Sequence, residues 1–294
     1  MYHTTGLSRE QIVDVCVLVH SDSVRTPGHV CPPIPGLFNS VVVTLAYLRR
    51  NRVQAELAEA FGVSQPTISR AISTLTPILG RLLADHVPVA EDLDMRSQYI
   101  IDGTLLPCWS WTGHPELYSG KHHTTGMNVQ VACDLSGRLA WVSDPVDGRR
   151  HDIAALPISG VLQADHPDPW LGDKGYIGAE MITPIRKPPY RDMLDWEKKL
   201  NTAVNQIRYK IEQTISHLKT WRILHTDYRR PLDTFTATIS AVLGLEFFRT
   251  CRGDGVNCTP CPRPRVTSAP VQRVVGRRRR TGRARSGSVV PEPL

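Results

Sequence analysis

The stretch PWLGDKGYIG, residues 169–178, decides how the rest of the chain is read. Trp170, Leu171 and Gly172 lead straight into Asp173, and Gly175 follows two residues later. That order predicts a short buried strand whose last residue is a carboxylate, delivered to the rim of a sheet. A carboxylate placed there is costly unless something cationic meets it. A second stretch has the same form. In SQYIIDGTLLP, residues 97–107, three apolar residues run into Asp102 and then Gly103. Two strands that each end in an acid can set those acids side by side at one sheet edge. Neighbouring carboxylates do not both stay ionised without a cation between them. Divalent Mg or Mn, which prefer oxygen ligands, suit that place.

A third ligand is expected from the helix written in NTAVNQIRYKIEQTISHLKTW, residues 201–221. At about 100° per residue, Asn205, Arg208, Glu212 and Lys219 fall within an arc of roughly 60°. Val204, Ile207, Ile211, Ile215 and Leu218 form the adjacent apolar stripe, which predicts packing on the sheet with one polar edge turned toward Asp102 and Asp173. Arg208 and Glu212 are an i,i+4 pair, and alone they would read as a surface salt bridge worth a few tenths of a kcal/mol. The two acids upstream make Glu212 a third carboxylate of the same set.

Other strands surround these. NVQVACD and RLAWVSD are short apolar runs that end in Asp and are separated by Gly-containing turns. HDIAALPISGVLQ predicts a helix capped by Asp152, with His151-Asp152 as the competing choice of ligand or proton shuttle. His122 and His123 fall in a hairpin turn, and Lys121 beside them is placed to touch DNA. Trp109, Trp111 and Trp141 read either as core or as stacking platforms for unpaired bases. Lys174 points away from its neighbour Asp173 and lies outside the site.

The first part of the chain is helical. Ser8 to about His20 starts with a capping box, Ser8 and Gln11. Leu37 to Leu83 keeps helical periodicity, broken at Gly62 and again near Pro77. Within it, RVQAELAEAFGVSQPTISRAISTL fits a helix-turn-helix: Ala58 lets a second helix cross, Gly62 makes the turn, Ser64 caps and Pro66 sits in the first turn of the second helix. Gln65, Thr67, Ser69, Arg70 and Ser73 remain as outward polar positions, with Gln65 and Arg70 suited to base edges and Arg52 and Thr67 to the DNA backbone. An ordinary helical hairpin is the competing reading.

The chain has 294 residues and a net charge of +7. From residue 251 onward there are ten Arg against two acids and six Pro, so the positive excess belongs to that segment, and the first 250 residues carry a net charge of −1. Such a tail cannot bury enough apolar surface to fold alone, and it attracts phosphates without reading sequence. Seven cysteines are scattered, which suits packed thiols in a reducing compartment; Cys251, Cys258 and Cys261 lack an evident fourth zinc ligand. No run is long enough to span a bilayer and no secretory leader is visible, so a cytoplasmic protein is expected.

Asp102 in IIDGT, Asp173 in GDKGY and Glu212 in RYKIEQTISHLK together resemble the acidic triad of DDE transposases. Arg208, Glu212 and Lys219 keep the signature spacing of the large group comprising insertion sequences four and five, with Asn205 where that signature carries Tyr. YSGKHHTTGMNVQV and GRRHDIAAL are similar to the group-five branch, related to Harbinger-type endonuclease domains. The resemblance spans about residues 37–248.

It implies an α/β fold, a ribonuclease-H-like mixed sheet flanked by helices and preceded by an all-helical helix-turn-helix domain. The expected limits are residues 1–90 for the helical region (helix-turn-helix about 50–76), 95–250 for the catalytic domain and 251–294 for a disordered basic tail. It further implies metal-dependent phosphoryl transfer, with Asp102, Asp173 and Glu212 holding two divalent ions, Mg2+ or Mn2+, about 3.5–4 Å apart. Arg208 and Lys219 would contact phosphates near the cut. The partners would be double-stranded DNA, as terminal inverted repeats and target, and further copies of the chain in a homodimer or larger assembly at the bacterial nucleoid. Two rivals stand beside this: a helix-turn-helix regulator with a non-catalytic sheet, and a nuclease that cuts without rejoining.

Overall fold

The computed structural model describes residues 2–25, 34–94, 96–109, 113–161 and 169–253. Trp111, Cys258, Cys261 and the basic segment from residue 254 onward lie outside them.

The amino-terminal part is helical: α1 (Tyr2–Thr5), α2 (Arg9–Arg25), α3 (Leu37–Arg50), α4 (Gln54–Phe61) and α5 (Gln65–Leu82). The box before α2 forms in both directions. Ser8 N donates to Gln11 Oε1 at 2.9 Å, and Gln11 N donates to Ser8 Oγ at 3.2 Å. Gly62 ends α4 at φ 62°, the left-handed turn that glycine takes at little cost. Ser64 is the N-cap of α5 and Pro66 lies in its first turn. Pro77 does not break α5, contrary to expectation. It is exposed, so the carbonyl of Ser73 that loses its amide partner faces water rather than the core.

The sheet follows. Strand β1 (Tyr99–Pro107) pairs antiparallel with β3 (Thr124–Asp134), which also pairs with β2 (Tyr118–Ser119), β4 (Leu139–Val142) and β5 (Val146–Asp147). Asp102 therefore does not end its strand. The apolar Leu105 and Leu106 carry β1 five residues further. The 169–173 stretch is not a ladder strand. It touches the sheet through one parallel bridge, Ile100 to Leu171, which bridges in turn to Ile182. Helix α6 (Asp152–Ala155) is a single turn, and α7 (Asp195–Leu218) and α8 (Phe235–Gly253) complete the fold.

Alternation along β1 and β3 divides the core. Ile100, Leu106, Val129, Val131 and Cys133 lie on one sheet face with Ile211 and Leu218 of α7, in a core continuous with the amino-terminal helices and α8. Ile101, Ala132, Trp141, Leu156, Trp170 and Tyr176 fill the other face. Helix α8 has no counterpart among the sequence expectations. It is apolar nearly all round and rich in Thr and Phe, so it has little of the one-sided periodicity that marks a surface helix. It is bound to the segment just beyond α7 by buried Trp221, whose Nε1 donates to Glu246 Oε2 at 2.8 Å.

Candidate active site and nucleic-acid interface

Asp102 projects from the α7 face of β1, directly across from Val131. Leu171 lies on the same face, bridged in parallel to Ile100, so Asp102 and Asp173 each stand two residues past a paired position. Sequence form did bring the two acids to one place, through a single bridge rather than two strand ends. Asp102 Oδ1 accepts from Gly103 N at 2.9 Å, and its Oδ2 lies 3.5 Å from Arg208 Nη2 of α7. Both side chains are largely buried, 18% and 14% exposed. Asp173 Oδ1 accepts from Gly175 N at 2.6 Å, which turns the chain sharply after the acid.

Burial pushes the Asp102 carboxyl up to about 6; the Asp173 and Asp152 carboxylates push the same way, against the Arg208 guanidinium and the Gly103 N–H. One arginine does not balance that concentration of anions.

Asp152 belongs to this centre and is not a helix cap. Its Oδ1 accepts from Asn128 Nδ2 at 2.9 Å and its Oδ2 from Lys121 Nζ at 2.9 Å, and no side-chain cap bond forms at α6. It approaches from the other sheet face, above Gly103. A Cβ on residue 103 would stand 2.1 Å from Asp152 Oδ1, so the glycine after Asp102 is what admits the second acid. Asn128 is 5% exposed and its Oδ1 has no hydrogen-bond partner. Nearby, buried Tyr176 donates its hydroxyl to Gln130 Oε1, and burial raises that phenol far above its ordinary range. No sequence signal separates Asp152 from a cap; only the β3 asparagine and the turn lysine, distant in sequence, do so.

Glu212 stands one turn beyond Arg208 on α7, exposed. It lines a cleft of about 540 Å³ together with Ile215 and Lys219 of the same helix end, Arg49 and Arg50 of α3, and Arg222 and His225 beyond α7. Asp102 feels the charges of Asp173 and Asp152. Among the described residues no three His, Cys, Asp or Glu side chains come close enough to hold a metal ion. Lys219, at the C-cap of α7, is half-buried; burial lowers its pKa.

On the helix-turn-helix, Gln65 and Arg70 are exposed and Ser69 is half-buried, its carbonyl accepting from Ser73 Oγ at 2.8 Å. Arg52 is exposed and 3.4 Å from Glu56. Thr67 differs from its outward expectation. It is 8% exposed, and its hydroxyl lies 3.0 Å from Ser64 Oγ. It sits beside Ile68 on the buried side of α5, so the small hydroxyl is taken up by the cap. Lys121, expected to touch DNA, is held by Asp152. His122 and His123 do form a turn, with His123 at φ 51°. Trp141 is core and Trp109 is 61% exposed under the Arg229 guanidinium.

A family model described as DDE superfamily endonuclease matches residues 101–246, and one described as the helix-turn-helix of DDE superfamily endonuclease matches residues 36–85. A putative transposase for insertion sequence element IS112 from Streptomyces albus G is 32% identical over 222 residues, covering 75% of this chain and 83% of that protein. The chain belongs to the DDE superfamily of insertion-sequence transposases and endonucleases. A probable transposase for insertion sequence element IS702 from Microchaete diplosiphon is 23% identical over 251 residues, covering 82% of this DDE-family chain and 91% of that protein. No solved structure matches. The fold is the α/β, nuclease-like one expected of the family, a mixed sheet with helices behind a helix-turn-helix. Among the described residues no helix is long and apolar enough to cross a membrane.

The DDE family implies divalent metal, and the chemistry of Asp102 and Asp173, hard oxygen donors on one sheet face, suits one. Burial is the main cause of the raised Asp102 carboxyl and the Asp173 and Asp152 charges add to it, so a dication held there would favour the ionised form.

Proposed function

We propose that this chain is a DNA transposase, cutting at the ends of an insertion sequence and joining the freed 3′-hydroxyl to target DNA. The observation that carries the reading is Asp102 and Asp173 on one sheet face, brought together by the Ile100–Leu171 bridge beneath α7. Asp102, Asp173 and Glu212 are the proposed holders of two Mg2+ or Mn2+ ions. When bound, such ions acidify water or a 3′-hydroxyl and steady the leaving oxygen. Glu212 stands one turn along α7 from Arg208, and a phosphate would give the Arg208 guanidinium a partner other than Asp102, its oxygens suiting the planar fork.

The residues of the chain divide the remaining work. Arg208 and Lys219 bind and orient the phosphodiester at the cut. Asp152, held by Asn128 and Lys121, is a positioning residue that keeps β1 and the 120–123 turn in register around Asp102. Gln65, Ser69 and Arg70 read double-stranded DNA in the terminal repeats, and Arg52 steadies the backbone. Residues 1–90 serve as the reading region, 95–250 as the cutting domain and 251–294 as a basic arm. Two element ends are brought together by a homodimer or larger assembly, acting at the nucleoid in the cytoplasm.

The test is a supercoiled plasmid that carries the candidate terminal inverted repeats, incubated with Mg2+ or Mn2+. Excised product and integrants are expected. Cuts without integrants would make the chain a nuclease, and band shifts without cuts a regulator.

A further inference from the structure

We infer that the cleft between α3 and α7 is a second DNA-binding subsite, which takes the phosphate backbone of duplex DNA beside the helix-turn-helix. The inference rests on the transposase reading, which supplies the DNA, and adds Arg49, Arg50 and Arg222, which belong neither to the recognition helix nor to the acidic triad.

The walls are set by the fold. Arg49 and Arg50 close α3 immediately before the helix-turn-helix; Lys219 caps α7, and Arg222 begins the segment that leaves it. Asn51, the left-handed C-cap of α3, ties the two walls together, its Nδ2 donating to Thr226 Oγ1 at 2.6 Å. The cleft therefore exists before any ligand arrives.

Its charge is unbalanced. Arg49, Arg50, Arg222 and Lys219 line it against one lining carboxylate, Glu212; buried Glu246 also acts on Arg49 but is paired with Arg249. Among the described residues none of Arg49, Arg50, Lys219 or Arg222 makes an ion pair with an acid. Arg49 is pressed over the Trp221 ring, 5.1 Å from its centroid, and its Nη1 is buried without a hydrogen-bond partner. Burial and then the Arg249 charge lower Arg49, with Glu246 opposing and Arg50 adding a little, and burial lowers Lys219. Like charges held this close are tolerable beside a polyanion and unfavourable without one.

The cations are spread over two helices and a loop instead of ringing one point, which suits a backbone more than a single small anion. The loop also leads to the reading helix. Arg230, eight residues beyond Arg222, donates to Ser73 Oγ on α5 at 2.6 Å. A duplex seated on α5 is thus continuous with the cleft, and the cleft with Glu212.

The test is binding of a random-sequence duplex of about two helical turns to the full chain in EDTA, by fluorescence anisotropy over a salt series. Arg50 and Arg222 are exposed, so the double variant Arg50→Ala, Arg222→Ala keeps its core; a circular-dichroism melt checks this. The variant is expected to bind roughly tenfold more weakly and to lose about two phosphate contacts' worth of salt dependence. Arg70→Ala, on the reading helix, serves as the parallel control. If it weakens binding while the double variant keeps wild-type affinity and slope, the subsite is refuted and the helix-turn-helix stands. If the wild-type chain binds no duplex at all, both the subsite and the transposase reading fail. Inorganic phosphate at matched ionic strength is expected to leave binding unchanged. Displacement by it that vanishes in the double variant would make the cleft a small-anion site and overturn the inference.

Discussion

The reading helix and the acidic centre treat charge in opposite ways. On α5, Gln65 and Arg70 stand in water and need no partner from the protein. Around β1, Asp102, Asp152 and Arg208 are drawn out of water, and their arrangement depends on strands, turns and helices far apart in sequence. A solvated surface lets side chains adapt to whatever DNA arrives. A desolvated cluster holds charge in place against its own cost, and that cost is what a reaction can use. Changes in the two regions should therefore separate cleanly, binding from cutting.

The sharpest break is neutralisation of the acids. Asp102→Asn, Asp173→Asn and Glu212→Gln are each expected to lower metal-dependent cutting by on the order of 10³-fold or more, with DNA binding in EDTA nearly unchanged. Plasmid nicking and gel shift on the same preparations check both halves. Retained cutting in the Glu212 variant alone would leave the two sheet acids as the centre and take α7 out of it.

Asp152 gives the next effect. It touches no substrate in this reading, so Asp152→Asn should lower kcat by roughly 10–100-fold, the range for removing an outer support of a metal site, with KM for the DNA little changed. The amide still accepts from Asn128 or Lys121, so Asp152→Ala should fall further. Equal losses in the two variants would reduce Asp152 to packing.

A pH series sharpens the electrostatic half. Asp102 is raised from the ordinary carboxylate value to about 6. Between those values the folded chain keeps a proton that the unfolded chain has released. Metal-free stability therefore falls as pH rises through about 4 to 6, and the loss persists above it. Asp102→Asn removes the charge, so its stability advantage over wild type should grow across that window to roughly 1–3 kcal/mol near pH 7. Added Mg2+ or Mn2+ should stabilise only the wild type. Thermal melts in EDTA and in metal, at pH 4.5 and 7, read all of this.

How far the sequence foretold these arrangements follows the same division. The Ser8–Gln11 box, the Gly62 turn and the Ser64 cap are local events, and each formed where its residues stand. Asp102 and Asp173 were legible because each follows a short apolar run, and one backbone bridge sufficed to align them. Asp152 was not. An acid at the start of a helical run reads as a cap, and what makes it otherwise is Asn128 and Lys121 from β3 and its turn, plus the missing Cβ of Gly103. Helix α8 escaped because burial on many sides leaves no amphipathic stripe. Long-range contact, not residue type, decided every one of these misses.

Thr67 tests that lesson at the smallest scale. Local pattern puts it among the outward polar residues of the reading helix, whereas the fold buries it against Ser64. Thr67→Val keeps the shape and removes one hydroxyl contact, so it should cost about 0.5–1.5 kcal/mol of stability and leave DNA affinity within about twofold. Gln65→Ala, two residues earlier and exposed, should do the reverse: unchanged melting, weaker discrimination between repeat and random DNA by roughly 1–3 kcal/mol. Both substitutions lie in the first turn of one helix and neither alters charge, so a difference between them does not come from overall charge. If Thr67→Val instead weakened binding with no change in melting, the hydroxyl would have to turn outward when DNA docks, and the helix-turn-helix would adapt to its ligand rather than meet it ready-made.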